Sequence, residues 1–225
     1  MQTPNLSVDA VIPALNEAGR VGAVVETVRS SGLVGRILVV NDGSEDGTAA
    51  EAQEAGAQVL DLPETGGKAH AMLVGAMASQ AEYLLFLDAD LIGLTAGHVR
   101  AMLDPVARGE TRSTVGIFEQ GRGATDWAQA VSPWLSGQRV IPRQIFLEIS
   151  GLDDMGYGVE VAITRHLSRL EIKPAVVSLV GMSHLMKEEK NGFFKGAAKR
   201  MAMYGQICAT MLENNGSERK RGKRV

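Results

Sequence analysis

The chain has 225 residues, 45% of them hydrophobic, with 26 glycines and a net charge of −3. This suits one large domain with a modest appendage and excludes a fibrous, collagen-like or wholly disordered chain. No apolar run reaches the roughly 20 residues that cross a bilayer, and Met1 to Ser7 lack a secretory pattern, so a cytoplasmic protein is expected.

The charge is uneven. Met186 to Val225 hold ten Lys/Arg against four Asp/Glu, so this end carries +6 and the preceding residues −9 of the net −3. An anionic partner is expected there, either the inner membrane surface contacted peripherally or a phosphorylated acceptor. Arg219, Lys220, Arg221, Lys223 and Arg224 offer no apolar pattern to fold around, so residues 214–225 read as a basic, flexible tail. Cys208, the single cysteine, cannot close an internal disulfide and is expected in a helical core.

In chain order, Val8 to Ile12 reads as a strand, Glu17 to Ser30 as a helix and Arg36 to Val40 as a second strand. Gly47 to Ala55 reads as a helix, Gln58 to Leu62 as a strand, Gly67 to Ser79 as a helix and Glu82 to Leu87 as a strand. Short-linked strand-helix alternation predicts a parallel, right-handed, layered sheet. Beyond it come a strand at Thr114 to Phe118, a loop from Glu119 to Thr125, and a short helix from Pro142 to Ile149. A helix at Glu160 to Leu170, a strand at Ala175 to Leu179 and a last helix at Phe193 to Leu212 complete the prediction.

The apolar run Tyr83 to Leu87 is that of a strand buried on both faces, so Asp88 and Asp90 must emerge at its carboxyl edge. Ligands bind at that edge in open α/β sheets. Residues 88 and 90 point one way in an extended chain, with Ala89 turned aside. Two hard oxygen ligands suit Mg²⁺ or Mn²⁺ carrying a substrate phosphate. A helix cap or a solvated loop is the competing explanation.

Three earlier loops should open on the same edge. They are Pro13-Ala14-Leu15-Asn16-Glu17, Asn41-Asp42-Gly43-Ser44, and Gly66-Gly67-Lys68-Ala69. Carboxylates suit ribose hydroxyls or base nitrogens, while Lys68 and helix starts suit phosphate oxygens. In this order the four loops resemble the family 2-type glycosyltransferases of the GT-A fold, most closely over residues 8–90. The resemblance implies a mostly parallel central sheet flanked by helices on both faces. It also implies metal-dependent transfer of a sugar from a nucleotide-diphosphate donor to an acceptor.

By position, Pro13, Ala14 and Glu17 resemble the nucleoside-contacting loop, shaped by Asn16, and Asp42 resembles the base-facing residue. Gly67 and Lys68 resemble the donor-contacting turn. Asp88 and Ala89 belong to the Asp-x-Asp element, with Asp88 nearer the ribose and Asp90 the metal ligand. Ser136-Gly137-Gln138-Arg139 resembles an element of glucosyl-3-phosphoglycerate synthase-like and lipid-directed enzymes. Ser136 and Gly137 would then line the sugar site, and Arg139 would meet a phosphate or carboxylate unless it forms a structural ion pair. Inverting members carry an acidic pair where this chain has Val159-Glu160, so Glu160 is the catalytic candidate, with Asp153 and Asp154 competing. His184 falls in a loop that holds a metal-binding histidine in relatives.

On this resemblance residues 1–213 form a single GT-A domain. A nucleotide-binding half spans 1–92, an acceptor half 93–192 and a C-terminal helix 193–213. The expected partners are a UDP- or GDP-linked donor, a phosphorylated or lipid-linked acceptor and a second copy of the chain, with no nucleic acid. Nucleotidyltransferases form the nearest rival class, but their glycine-rich first loop is missing before Gly19. Leu62 and Ala69 break a P-loop around Lys68. A non-catalytic nucleotide-sugar-binding protein is the other alternative, and sequence leaves retention or inversion open.

Overall fold

The computed structural model describes residues 6–118, 136–152 and 158–184. The strands are β1 (Val8–Ala14), β2 (Ile37–Asn41), β3 (Gln58–Asp61), β4 (Tyr83–Phe86) and β5 (Leu91–Ile92), then β6 (Thr114–Phe118), β7 (Arg139–Pro142), β8 (Ala175–Leu179) and β9 (Ser183–His184). The helices are α1 (Val21–Ser31), α2 (Thr48–Glu54), α3 (Lys68–Ala78), α4 (Ala96–Ala107), α5 (Arg143–Leu147) and α6 (Val159–Arg169).

Seven strands form one sheet in the order β3-β2-β1-β4-β7-β6-β8, and β5 pairs with β9 in a small second sheet. β1 runs parallel to β2 and β4, and β2 to β3, as the alternation of the first half predicts. β7 is inserted antiparallel between β4 and β6, while β6 and β8 are parallel.

Side-chain alternation divides the core between the two faces of the sheet. On one face Ala10, Ile12, Val39, Leu85 and Val140 meet Val24 and Val28 of α1 and Met102 of α4. On the other, Val11, Val40, Phe86 and Ile141 meet Met72 of α3, Phe146 of α5 and Ile163 of α6. The Phe86 and Phe146 rings lie 4.7 Å apart in a tilted pair. Such two-sided burial explains why β2 and β4 read as nearly continuous apolar runs, and β1 as one interrupted only by Asp9.

Four expectations are corrected. Helix α1 starts at Val21 rather than Glu17, because the Glu17 and Ala18 amides are bonded by Thr48 Oγ1 and Asp46 Oδ2. Pro142 ends β7 instead of opening a helix, and α5 follows it directly. Helix α4 was not predicted. Gly97 and Pro105 obscure its pattern, yet Thr95 and His98 close a reciprocal capping box at its start. Strands β5, β7 and β9 were not expected either. The expected helix at 193–213 and the tail at 214–225 lie outside the described residues, as do Cys208, Asp153 and Asp154.

Away from the carboxyl edge, Asp9 is only 4% exposed. It accepts hydrogen bonds from the Arg36 amide at 3.0 Å, the Arg36 guanidinium at 2.8 Å and Ser79 Oγ at 2.7 Å. Asp9→Ala strands these donors, although half-exposed Arg36 recovers water. A loss of about 2 kcal/mol in urea unfolding is expected.

Candidate active site

The carboxyl ends of β1, β2 and β4 bring their following loops to one edge of the sheet. The first two loops are bonded together. Asn16, at φ 55°, donates its amide to Ser44 Oγ at 2.9 Å and accepts the Glu45 amide on Oδ1 at 3.0 Å. Glu17 accepts from Arg20 Nε at 2.7 Å. Glu51 accepts the Gly22 amide at 2.8 Å and also that of Gly19. Pro13 is half-buried and Ala14 buried at the end of β1.

Asp42, expected to face the base, is 3% exposed. Its two carboxylate oxygens accept the amides of Gly66 at 2.7 Å and Gly67 at 2.9 Å. This carboxylate therefore anchors the third loop to the second. Gly67, at φ 86° and ψ 166°, leads into α3 in a conformation that a Cβ would strain. That turn delivers Lys68 as the first residue of the helix.

Lys68 Nζ donates to Asp88 Oδ1 at 2.6 Å and to Glu160 Oε1 at 2.8 Å. Burial alone would lower the affinity of this amine for its proton. The charges of Asp88 and Glu160 outweigh that effect and hold the ammonium above the ordinary lysine range. The second Asp88 oxygen accepts from Gln138 Nε2 at 2.7 Å. Ala89 packs into the core while Asp88 and Asp90 stay half-buried.

Antiparallel β7 explains how Gln138 and Gly137 arrive here. Phe86 pairs with Arg139, so continuing the register places Gln138 opposite Leu87 and Gly137 opposite Asp88. A Cβ on Gly137 would lie 2.7 and 2.8 Å from the two Asp88 oxygens and 2.8 Å from Lys68 Nζ. Gly137→Ala should therefore part the Lys68–Asp88 pair. An increase of about tenfold in donor KM, worth ~1.4 kcal/mol, is the expected result, with little change in melting temperature.

Arg139 is 2% exposed and donates through Nε to the Ser136 carbonyl at 2.8 Å. Burial pulls its guanidinium down to about 10, opposed by the nearby charge of Glu160. The structure thus gathers Lys68, Asp88, Ser136, Gly137, Arg139 and Glu160, and it adds Gln138. Sequence reasoning missed Gln138 because a neutral side chain at the variable place of Ser-Gly-x-Arg carries no chemical signal.

Asp90 ends the turn into β5, whose Leu91 pairs with His184 of β9. The backbone of His184 is thereby held across from the residue after Asp90. Among the described residues no group of three or more His, Cys, Asp or Glu forms a ready cation cage. A carboxylate and an imidazole, the side-chain types of Asp90 and His184, are ligand types compatible with Mg²⁺ or Mn²⁺, which also hold water and substrate phosphate oxygens.

A mostly parallel sheet with this loop-built carboxyl edge is the GT-A architecture of nucleotide-diphospho-sugar transferases. The model of Glycosyl transferase family 2 matches residues 9–163, and the chain belongs to that family. The glucosyl-3-phosphoglycerate synthase of Mycolicibacterium smegmatis is 35% identical over 109 residues, covering 44% of this chain and 36% of the relative. The synthase of Mycolicibacterium paratuberculosis is 25% identical over 93% of this chain and 73% of its own length. The chain thus spans between about a third and three quarters of these two relatives. The Mycobacterium tuberculosis synthase, solved with Mn²⁺, UDP-glucose and phosphoglyceric acid, superimposes with a TM-score of 0.72 at 26% identity. That match covers 92% of this chain and 79% of the solved one.

Proposed function

We propose that this chain is a metal-dependent glycosyltransferase moving a hexosyl group from a UDP-linked sugar to a hydroxyl of a phosphorylated acceptor. The observation that carries this is the Lys68–Asp88–Glu160 cluster at the carboxyl edge of a family 2 fold. Support for the donor, metal and acceptor comes from the solved synthase bound to UDP-glucose, Mn²⁺ and phosphoglyceric acid.

Pro13, Ala14 and Glu17 border the nucleoside, and Asn16 and Asp42 hold the loops around it. Gly67 and Lys68 face the donor. A divalent metal on Asp90 and His184 would supply positive charge to the departing diphosphate. Asp88 and Glu160 accept hydrogen bonds from sugar hydroxyls, and the Lys68 ammonium fixes the distance between the two carboxylates. Ser136 and Gly137 line the sugar site, and the buried guanidinium of Arg139 completes its wall. Glu160 is the acidic group placed to serve the acceptor if the anomeric centre is inverted. Near-normal turnover of Glu160→Gln would remove it from the chemistry.

The test combines UDP-glucose or GDP-glucose with 3-phosphoglycerate, with Mn²⁺ or Mg²⁺ and then with EDTA. UDP release that needs donor, acceptor and metal together supports the proposal. Absence of nucleotide release from every donor with phosphorylated or lipid-linked acceptors would overturn it. Among the described residues no helix is long and apolar enough to cross a membrane. The basic stretch Arg219 to Arg224 is assigned to an anionic surface, which liposome flotation with and without residues 214–225 tests.

A further inference from the structure

Gln138 is fully buried, yet both ends of its amide are bonded to polar groups. Nε2 donates to Asp88 Oδ2 at 2.7 Å, and Oε1 lies 3.0 Å from Ser136 Oγ. The Gln138 backbone amide donates to the same hydroxyl at 3.2 Å, whose single proton serves either Oε1 or the nearer Gly116 carbonyl on β6. The amide can face only one way. An ionised Asp88 accepts and never donates, so a flipped amide would set oxygen against oxygen.

The Asp88 carboxylate is consequently gripped at both oxygens, by Lys68 on Oδ1 and by Gln138 on Oδ2. Of these two, Lys68 is shared with Glu160, whereas Gln138 is rooted in the sheet through Ser136 and Gly116. We propose that Gln138 is a positioning residue of the transfer site, fixing the plane of the Asp88 carboxylate and, through Lys68, its separation from Glu160. This rests on the functional reading above and adds a residue which that reading does not require.

The side-chain chemistry is restrictive. Glutamate would bring a third carboxylate against Asp88. Methionine would fill the space and leave Asp88 Oδ2 without its donor. Asparagine would fall one methylene short. A residue that only packed β7 would tolerate methionine, because volume-conserving exchanges in a core are mild.

The experiment measures kcat and donor KM for Gln138→Met, Gln138→Glu, Asp88→Asn and the double variant Gln138→Met/Asp88→Asn, with thermal melting alongside. Gln138→Met should lose about tenfold or more in kcat while melting near the wild-type temperature. In the Asp88→Asn background the same exchange should cost little more, because its effect passes through Asp88. Gln138→Glu should work best at acid pH, where a neutral carboxyl can donate to Asp88. It should fail as pH rises and its charge joins those of Asp88 and Glu160 around Lys68, with Arg139 behind. The unmodified chain should lack that alkaline decline.

Wild-type-like kcat and KM in Gln138→Met would overturn the proposal, as would a fully additive penalty in the double variant. A wild-type chain that transfers nothing from any donor overturns the functional reading instead. The variants are then compared by UDP-glucose affinity in Mn²⁺, where an unchanged Kd in Gln138→Met overturns the positioning role too.

Discussion

Replacing Lys68 with methionine should lower sugar transfer by about two to three orders of magnitude without unfolding the chain. The ammonium sits 2.6 Å from Asp88 and 2.8 Å from Glu160. Without it two carboxylates face each other across the site, and the gap between them is set by repulsion rather than attraction. The Lys68 side chain keeps 34% of its surface in contact with solvent, so water screens part of the loss and global stability should fall only modestly. Lys68→Arg should rescue little. A planar guanidinium cannot replace a compact charge bridging two oxygens, and Gly137 leaves no room beside the pair. Steady-state kinetics with saturating metal check this, and a Lys68→Met variant retaining more than a tenth of wild-type kcat would contradict it.

Asp90→Ala should weaken the apparent affinity for Mn²⁺ in the presence of UDP by about 100-fold or more, with a matching fall in turnover at limiting metal. The described residues offer the cation no alternative cluster of acidic or imidazole ligands. The neighbouring carboxylate of Asp88 is already bonded to Lys68 and Gln138. His184→Ala should weaken Mn²⁺ more than Mg²⁺, because imidazole is a better ligand for the softer ion. Calorimetric titration of metal into the UDP-saturated chain measures both effects.

The parallel half of the molecule was legible because burial on both faces leaves a plain record in Val8 to Ile12 and Tyr83 to Leu87. The turn chemistry of Asn41 to Ser44 and of Gly66 to Lys68 lies where the strands end. Helix boundaries were less legible wherever amides have side-chain partners instead of helical carbonyls, as at Glu17 and Ala18. Strand β7 escaped because its apolar core is short and its Pro142 also suits a helix start. Of the site, the charged members Lys68, Asp88 and Glu160 were visible as types, but their mutual bonding was not. That bonding depends on antiparallel β7 and on the position of α6, both set by pairings distant in sequence. Asp42 shows the same limit: read as facing the base, its carboxylate accepts the Gly66 and Gly67 amides, partners that the sequence did not reveal.

The inserted antiparallel strand also has a kinetic meaning. Asp88 is secured by a residue 50 positions away, and Lys68 by one 92 positions away. Closing such long loops is entropically costly and contributes to slow folding. During synthesis the first four parallel strands emerge well before Gln138 and Glu160, so a nascent chain carries Asp88 and Lys68 before their distant anchors exist. Assembly of the Lys68–Asp88–Glu160 cluster thereby waits for β7 and α6, and a chain cut before them lacks it.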